Sequence, residues 1–152
     1  MMKPVIQKDQ TGCGLACVAT VADVSYQEVK KVAGQLGIEV HDSRLWSDTK
    51  YVRTLLTYFG VTTSSHTSLF TSWDTIPPLA LLAIKWHTIK GRAFWHWVVF
   101  WRGLKGPVVL DPKASLRNNI RTDFGRIHPK WYMTIHHAGR GHPENAVRGK
   151  PS

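Results

Sequence analysis

The sequence predicts an α+β domain in which N-terminal helices pack on an antiparallel sheet. Three observations carry this. Residues 13 to 60 show apolar residues at helical spacing, with cap and stop signals between them. From Val61 onward the apolar residues come in short β-branched and aromatic runs. Gly and Pro separate those runs. Helices first and strands afterwards favour segregated layers over alternating βαβ units.

The elements follow in order. Asp9 to Gly14 reads as a loop, and the dense apolar stretch from Cys13 to Val24 as a buried helix starting at or near Cys13. Ser25-Tyr26-Gln27-Glu28 is a capping box. It opens a second helix with Val29, Val32, Ala33 and Leu36 on its inner face and Gly37 as its stop. Ser47 or Asp48 caps a third, with Val52, Leu55, Leu56 and Phe59 inward and Gly60 at its end. Val61 to Ser65 then reads as a short strand, and Leu79 to Trp86 as an apolar run. Phe94 to Trp101 and Val108 to Leu110 form a hairpin around a turn at Gly103 to Pro107, and Trp131 to Ile135 is the last strand. The expected organisation is one domain over residues 1–137 and a basic, loose tail over 138–152.

Composition narrows the function classes. The 152 residues carry a formal charge of +10 and are 43% hydrophobic, which suits a globular chain attracted to acidic partners. The longest purely apolar run, Leu79 to Ile84, is far short of the ~20 residues a spanning helix needs. Residues 1–9 hold no apolar signal stretch, so a cytoplasmic location is expected, with signal-independent secretion left open. Two cysteines, Cys13 and Cys17, one helical turn apart, do not make a disulfide framework. Cys17 is expected to be a small apolar core residue.

Four residues are candidates for chemistry. Cys13 stands in Thr11-Gly12-Cys13-Gly14-Leu15-Ala16 at a helix start. There the helix dipole and orphan N–H groups favour a thiolate, and the flanking glycines let another backbone approach. His96 lies within an aromatic strand, on the same face as Phe94 and Val98 by alternation, where an imidazole needs partners. Asp111 ends the second arm of the hairpin, kept extended by Pro112, where its carboxylate can orient His96. Gln7, six residues before Cys13, offers an amide that can donate to a developing oxyanion.

In order and spacing, Gln7, Cys13-Gly14-Leu15-Ala16, Ser25-Tyr26-Gln27-Glu28-Val29, His96-Trp97-Val98-Val99 and Asp111-Pro112 resemble the bacterial cysteine peptidases that process double-glycine leader peptides. The resemblance covers about residues 5 to 135. It implies a papain-like fold, with Cys13 as nucleophile, His96 as general base, Asp111 as its orienting partner and Gln7 at the oxyanion. It also implies a peptide or protein substrate, cleaved after glycine, with no cofactor and no metal. Gly12 departs from the acidic residue common before the family's cysteine, and a stand-alone form without the family's usual exporter and ATPase is expected. The substrate groove is expected between Asp42–Trp46 and Ser64–Asp74, with Trp46, Trp73 or Trp95 as a wall.

Rival readings are a basic, Trp-rich nucleic-acid-binding or other binding module without catalysis, a papain-like transferase or deamidase, and a zinc site at His128, His136, His137 and His142. Scattered charge weakens the nucleic-acid reading, and the histidine spacing fits no common zinc motif. Oligomeric state is not encoded in any pattern here.

Overall fold

The structure, a computed structural model, describes residues 2–136. The tail expected over 138–152 therefore lies outside the described residues. Within them are three α-helices, α1 (Cys13–Ala22), α2 (Tyr26–Gln35) and α3 (Lys50–Tyr58). The strands are β1 (Ser68–Leu69), β2 (Leu79–Ile89), β3 (Arg92–Gly103), β4 (Gly106–Leu110), β5 (Ile120–Arg121) and β6 (Trp131–Thr134). They form one sheet in the order β1-β6-β2-β3-β4-β5, with every neighbouring pair antiparallel. The molecule is thus α+β.

Helix α1 is buried along its whole length. Its small residues Gly14, Ala16, Ala19 and Ala22 let it sit between the sheet, where it meets β3, and helices α2 and α3. It ends at Ala22, because Asp23 turns to a left-handed φ of 59°. Helix α2 starts where its cap requires, with the Ser25 side chain accepting from the Glu28 N–H at 3.0 Å. Gly37 and Gly60 stand just past α2 and α3 at φ of 77° and 80°, a conformation glycine adopts without penalty. Two expectations here need correction. Leu36 belongs to the C-terminal cap of α2 and is 43% exposed, so it is not an inner residue. Asp48 does accept from the Lys50 N–H, but Thr49 is the residue that precedes α3.

The sheet is covered on both faces. Towards the helices point Leu79, Leu81, Ala83, Trp95, Trp97, Val99, Trp101, Leu110 and Met133. Trp95, Trp97 and Trp131 meet edge to face, with centroids 4.9 to 5.8 Å apart, the geometry that ring quadrupoles favour. Ala80, Leu82, Ile84, Val98, Phe100 and Val109 point the other way, against Ile76 and Ile127, and are flanked by Phe70, Trp73, Phe124 and Tyr132. Fully burying each large side chain is worth roughly 1.5–3 kcal/mol, so both faces contribute to holding the central strands flat against their neighbours.

Turns and register set the position of His96. Ile89 pairs with Arg92 around Lys90-Gly91, both at positive φ, which is the twist a two-residue hairpin requires. The β3–β4 turn is tighter than the expected Gly103 to Pro107, since Arg102 pairs with Pro107 and Gly103 with Gly106. In β2, Ile84 pairs with His96 and His87 with Phe94, which leaves Lys85 and Trp86 opposite Trp95 alone. This is a β-bulge, with Lys85 at φ of 54°, and it sits directly beside His96. The strand expected at Val61 to Ser65 is reduced to one bridge, Thr63 to Ile135. The short edge strand lies instead at β1, where Ser68 and Leu69 pair with Tyr132 and Trp131.

Candidate active site

The loop before α1 is locked by groups from α2. The Gly12 N–H donates to the Asp9 carbonyl at 3.0 Å. The Tyr26 hydroxyl donates to Asp9 Oδ2 at 2.7 Å, and Lys30 Nζ lies 3.2 Å from the same carboxylate. Burial works to raise the Asp9 carboxyl's pKa, but Tyr26 and Lys30 outweigh it and hold it below the ordinary value. The Thr11 hydroxyl donates to the Val40 carbonyl. The glycines on either side of Cys13 admit tyrosine side chains, where a backbone approach was expected. A Cβ on Gly12 would stand 2.0 Å from the Tyr26 hydroxyl, and one on Gly14 would stand 2.0 Å from that of Tyr51. Gly12 at the N-cap of α1 has no side chain to cap it, so Cys13 occupies a helix start whose orphan N–H groups its own cap residue does not take.

His96 faces both the Asp111 carboxylate and Cys13. Its Nε2 is 2.7 Å from Asp111 Oδ1, and the Cys13 side chain lies near enough to the ring to act on its pKa. Burial alone would lower the imidazole's pKa. The bond to Asp111 and the nearness of Cys13 reverse that and raise it to about 9. At neutral pH the imidazole is therefore held protonated beside the Asp111 carboxylate. Asp111 is 1% exposed. Burial pushes its pKa up, yet His96, the Lys113 N–H and Arg121 together hold it below the ordinary carboxylate value.

Asp111 is itself built into place. Its Oδ1 also accepts from the Lys113 N–H at 3.0 Å, and its Oδ2 accepts from Arg121 Nη1 at 2.9 Å. Arg121 is braced in turn by Asp123, with Nε and Nη2 donating to the two oxygens at 3.0 and 2.9 Å. Asn119 Nδ2 donates to the carbonyls of Asp111 and Lys113 at 2.7 and 2.9 Å, and the Asp111 N–H returns a bond to the Asn119 carbonyl. Sequence reasoning missed Arg121 and Asn119. Both lie in or beside a two-residue strand with no periodicity, so only the pairing of β5 with β4 brings them to Asp111.

Gln7 lies in the same neighbourhood through its backbone, whose N–H donates to the Pro112 carbonyl at 3.0 Å. Its side-chain Nε2 donates to the carbonyls of Asp9 and Gln10 at 3.0 and 3.2 Å, and its Oε1 is buried with no hydrogen-bond donor among the described residues. In this state the Gln7 amide therefore ties the loop ahead of Cys13. Cys17 is a free, buried thiol, pushed well up in pKa by burial, with Cys13 and Asp111 adding to the shift. That makes it inert beside Cys13. Cys13 is also covered, at 0% exposure.

A cleft of about 470 Å3 opens beside His96, lined by Ser43, Trp46, Lys85, His87, Ile89, Phe94 and Trp95. Trp46 and Trp95 stand in its wall. Trp73 does not, because it packs on the opposite face against Phe70, Phe100 and Phe124. Residues 64–74 do not line this cleft either. Among the described residues no group of three His, Cys, Asp or Glu side chains is placed to hold a metal ion, and no helix is long and apolar enough to cross a membrane. No family model matches the chain, and none of the curated proteins searched matches it.

Proposed function

We propose that the protein is a thiol hydrolase, and more narrowly a papain-like cysteine peptidase related to those that trim leader peptides. The carrying observation is the single line of contacts Cys13–His96–Asp111, with a protonated imidazole between a helix-start thiol and a buried carboxylate. Such an imidazolium favours the thiolate, which is the attacking species. Cys13 would attack a peptide carbonyl, and His96 would pass its proton to the leaving amine. A water deprotonated by His96 would then release the acyl group. Asp111 holds the imidazole's orientation throughout, and Arg121 and Asn119 are positioning residues for Asp111.

The oxyanion would take the Cys13 N–H, which has no intrahelical acceptor at the first helical position. It would also take one Gln7 N–H, released from a loop carbonyl. Because Cys13 is covered, a substrate entering from the His96 cleft must displace side chains over the thiol. The apolar walls Trp46, Phe94 and Trp95 suit an extended peptide with an apolar residue near the scissile bond. A glycine at the bond itself rests on the family resemblance.

The test is incubation of a complex peptide mixture with wild type, Cys13→Ala and His96→Ala, reading new termini by mass spectrometry. New termini confined to wild type support the proposal. Termini produced equally by Cys13→Ala overturn it.

A further inference from the structure

A second pocket, of about 300 Å3, lies on the face of the sheet away from the helices. It is lined by Ile84, Lys85, Trp86, Arg121, Arg126, Ile127, His128, Pro129 and Lys130. Its floor is apolar, since Ile84 and Ile127 are 2% and 3% exposed and belong to the second core cluster. Its rim is cationic: Lys85 on the bulge, Arg121 on β5, Arg126 at the end of a short 3-10 turn, and Lys130 before β6. Among the described residues no carboxylate lines it.

The charges around it do not balance. Asp123 and Asp111 are both engaged by Arg121. Among the described residues, Lys85, Arg126 and Lys130 take part in no ion pair with a carboxylate. Lys130 instead lies over the Trp86 ring, 4.7 Å from its centroid. Lys85 lies close enough to Lys113 for the two ammonium groups to repel, and burial, Lys113 and Arg121 all lower its pKa while Asp111 opposes them. Lys85 is also held at the left-handed φ of the bulge, a backbone region that a lysine seldom adopts. Like charges gathered over a fixed apolar floor are costly unless a multiply charged anion joins them. Arg and Lys together match phosphate oxygens, Arg through a planar fork and Lys as a point charge.

We propose that this pocket binds an oligophosphate-class anion, held by Lys85, Arg126 and Lys130, with Arg121 at its inner wall. The pocket's size suits two or three phosphoryl groups and excludes a folded partner. Its occupant would lie one side chain away from Asp111, through Arg121. The binding claim does not depend on the peptidase reading, because its readout is binding alone.

The experiment is calorimetric titration of inorganic tripolyphosphate into the full chain. The variants are Arg126→Ala/Lys130→Ala, and, as a charge-matched control, Lys31→Ala/Lys105→Ala, which lie on α2 and in the β3–β4 turn. The expected result is one site per chain, weakened about tenfold or more for each rim cation removed, and nearly unchanged in the control. Equal weakening in both double variants would show general attraction to the +10 chain and overturn the site. So would absence of heat and of any thermal stabilisation by tripolyphosphate in wild type. A hexaglutamate peptide serves as the second arm. If it binds the rim more tightly than tripolyphosphate, the phosphate assignment is overturned in favour of acidic peptide.

Discussion

Replacing Asp111 by Asn tests how the site is held, because it removes a charge while nearly preserving shape. The carboxylate is 1% exposed and accepts three hydrogen bonds, from His96 at 2.7 Å, Lys113 at 3.0 Å and Arg121 at 2.9 Å. Asn keeps an oxygen for His96 and Lys113 but turns an NH2 group towards Arg121 Nη1. Two donors then face each other, and both cations lose their counter-charge. Hydrogen bonds to charged groups are worth about 1.5–3 kcal/mol each, and breaking a buried ion pair on one side costs about 3–5 kcal/mol. The larger range governs here because the charge is lost for His96 and Arg121 together. Asp111→Asn should therefore lower stability at neutral pH by about 3–5 kcal/mol, read from urea unfolding. The imidazole resonances of His96 should titrate about 1–3 units below wild type. Asp123→Asn is the control: that carboxylate is 42% exposed and its change should stay within about 0.5 kcal/mol. An unchanged urea midpoint with His96 still titrating at about 9 would refute the reasoning.

Two further outcomes follow from the same geometry. Gly12→Ala places a Cβ 2.0 Å from the Tyr26 hydroxyl and should cost about 1–3 kcal/mol. Tyr26→Phe removes that obstacle along with the Asp9 bond, so the double variant should cost at least about 1 kcal/mol less than the sum of the singles in urea unfolding, and additivity would count against the clash. The second outcome concerns pH. His96 has its folded pKa raised from 6.5 to about 9, so its contribution to stability is whole below about pH 6.5 and is lost as pH rises through about 9. The loss is at most about 3 kcal/mol. His96→Gln should flatten that alkaline limb, while the Cys17 contribution, lost only above the free-thiol pKa, persists in both proteins. Parallel stability curves would contradict the raised pKa.

The sequence made the helical half legible because its signals are local. A Ser cap three residues before Glu28, and glycines just past α2 and α3, act within one turn of the residues they control. The pairing of His96 with Asp111 was legible too, since both flank one hairpin and their spacing places them across it. What stayed hidden depends on tertiary contact. Lys85 adopts a positive φ with no glycine to announce it, because the bulge is imposed by the pairing of β2 with β3. The purpose of Gly12 and Gly14 becomes visible only when Tyr26 and Tyr51 arrive from α2 and α3. Arg121 reads as one of several arginines in a loop, and Asn119 carries no signal, until β5 pairs with β4. Trp73 looked equivalent to Trp46 and Trp95, and only the fold assigns it to the opposite face.

The most direct test is iodoacetamide labelling across pH, read separately at Cys13 and Cys17 by mass spectrometry, in wild type and His96→Ala. The expected result is labelling of Cys13 that far outpaces Cys17 at neutral pH and is abolished in His96→Ala. Labelling of Cys13 that is as slow as that of Cys17 and indifferent to His96 would contradict an activated thiol–imidazole pair.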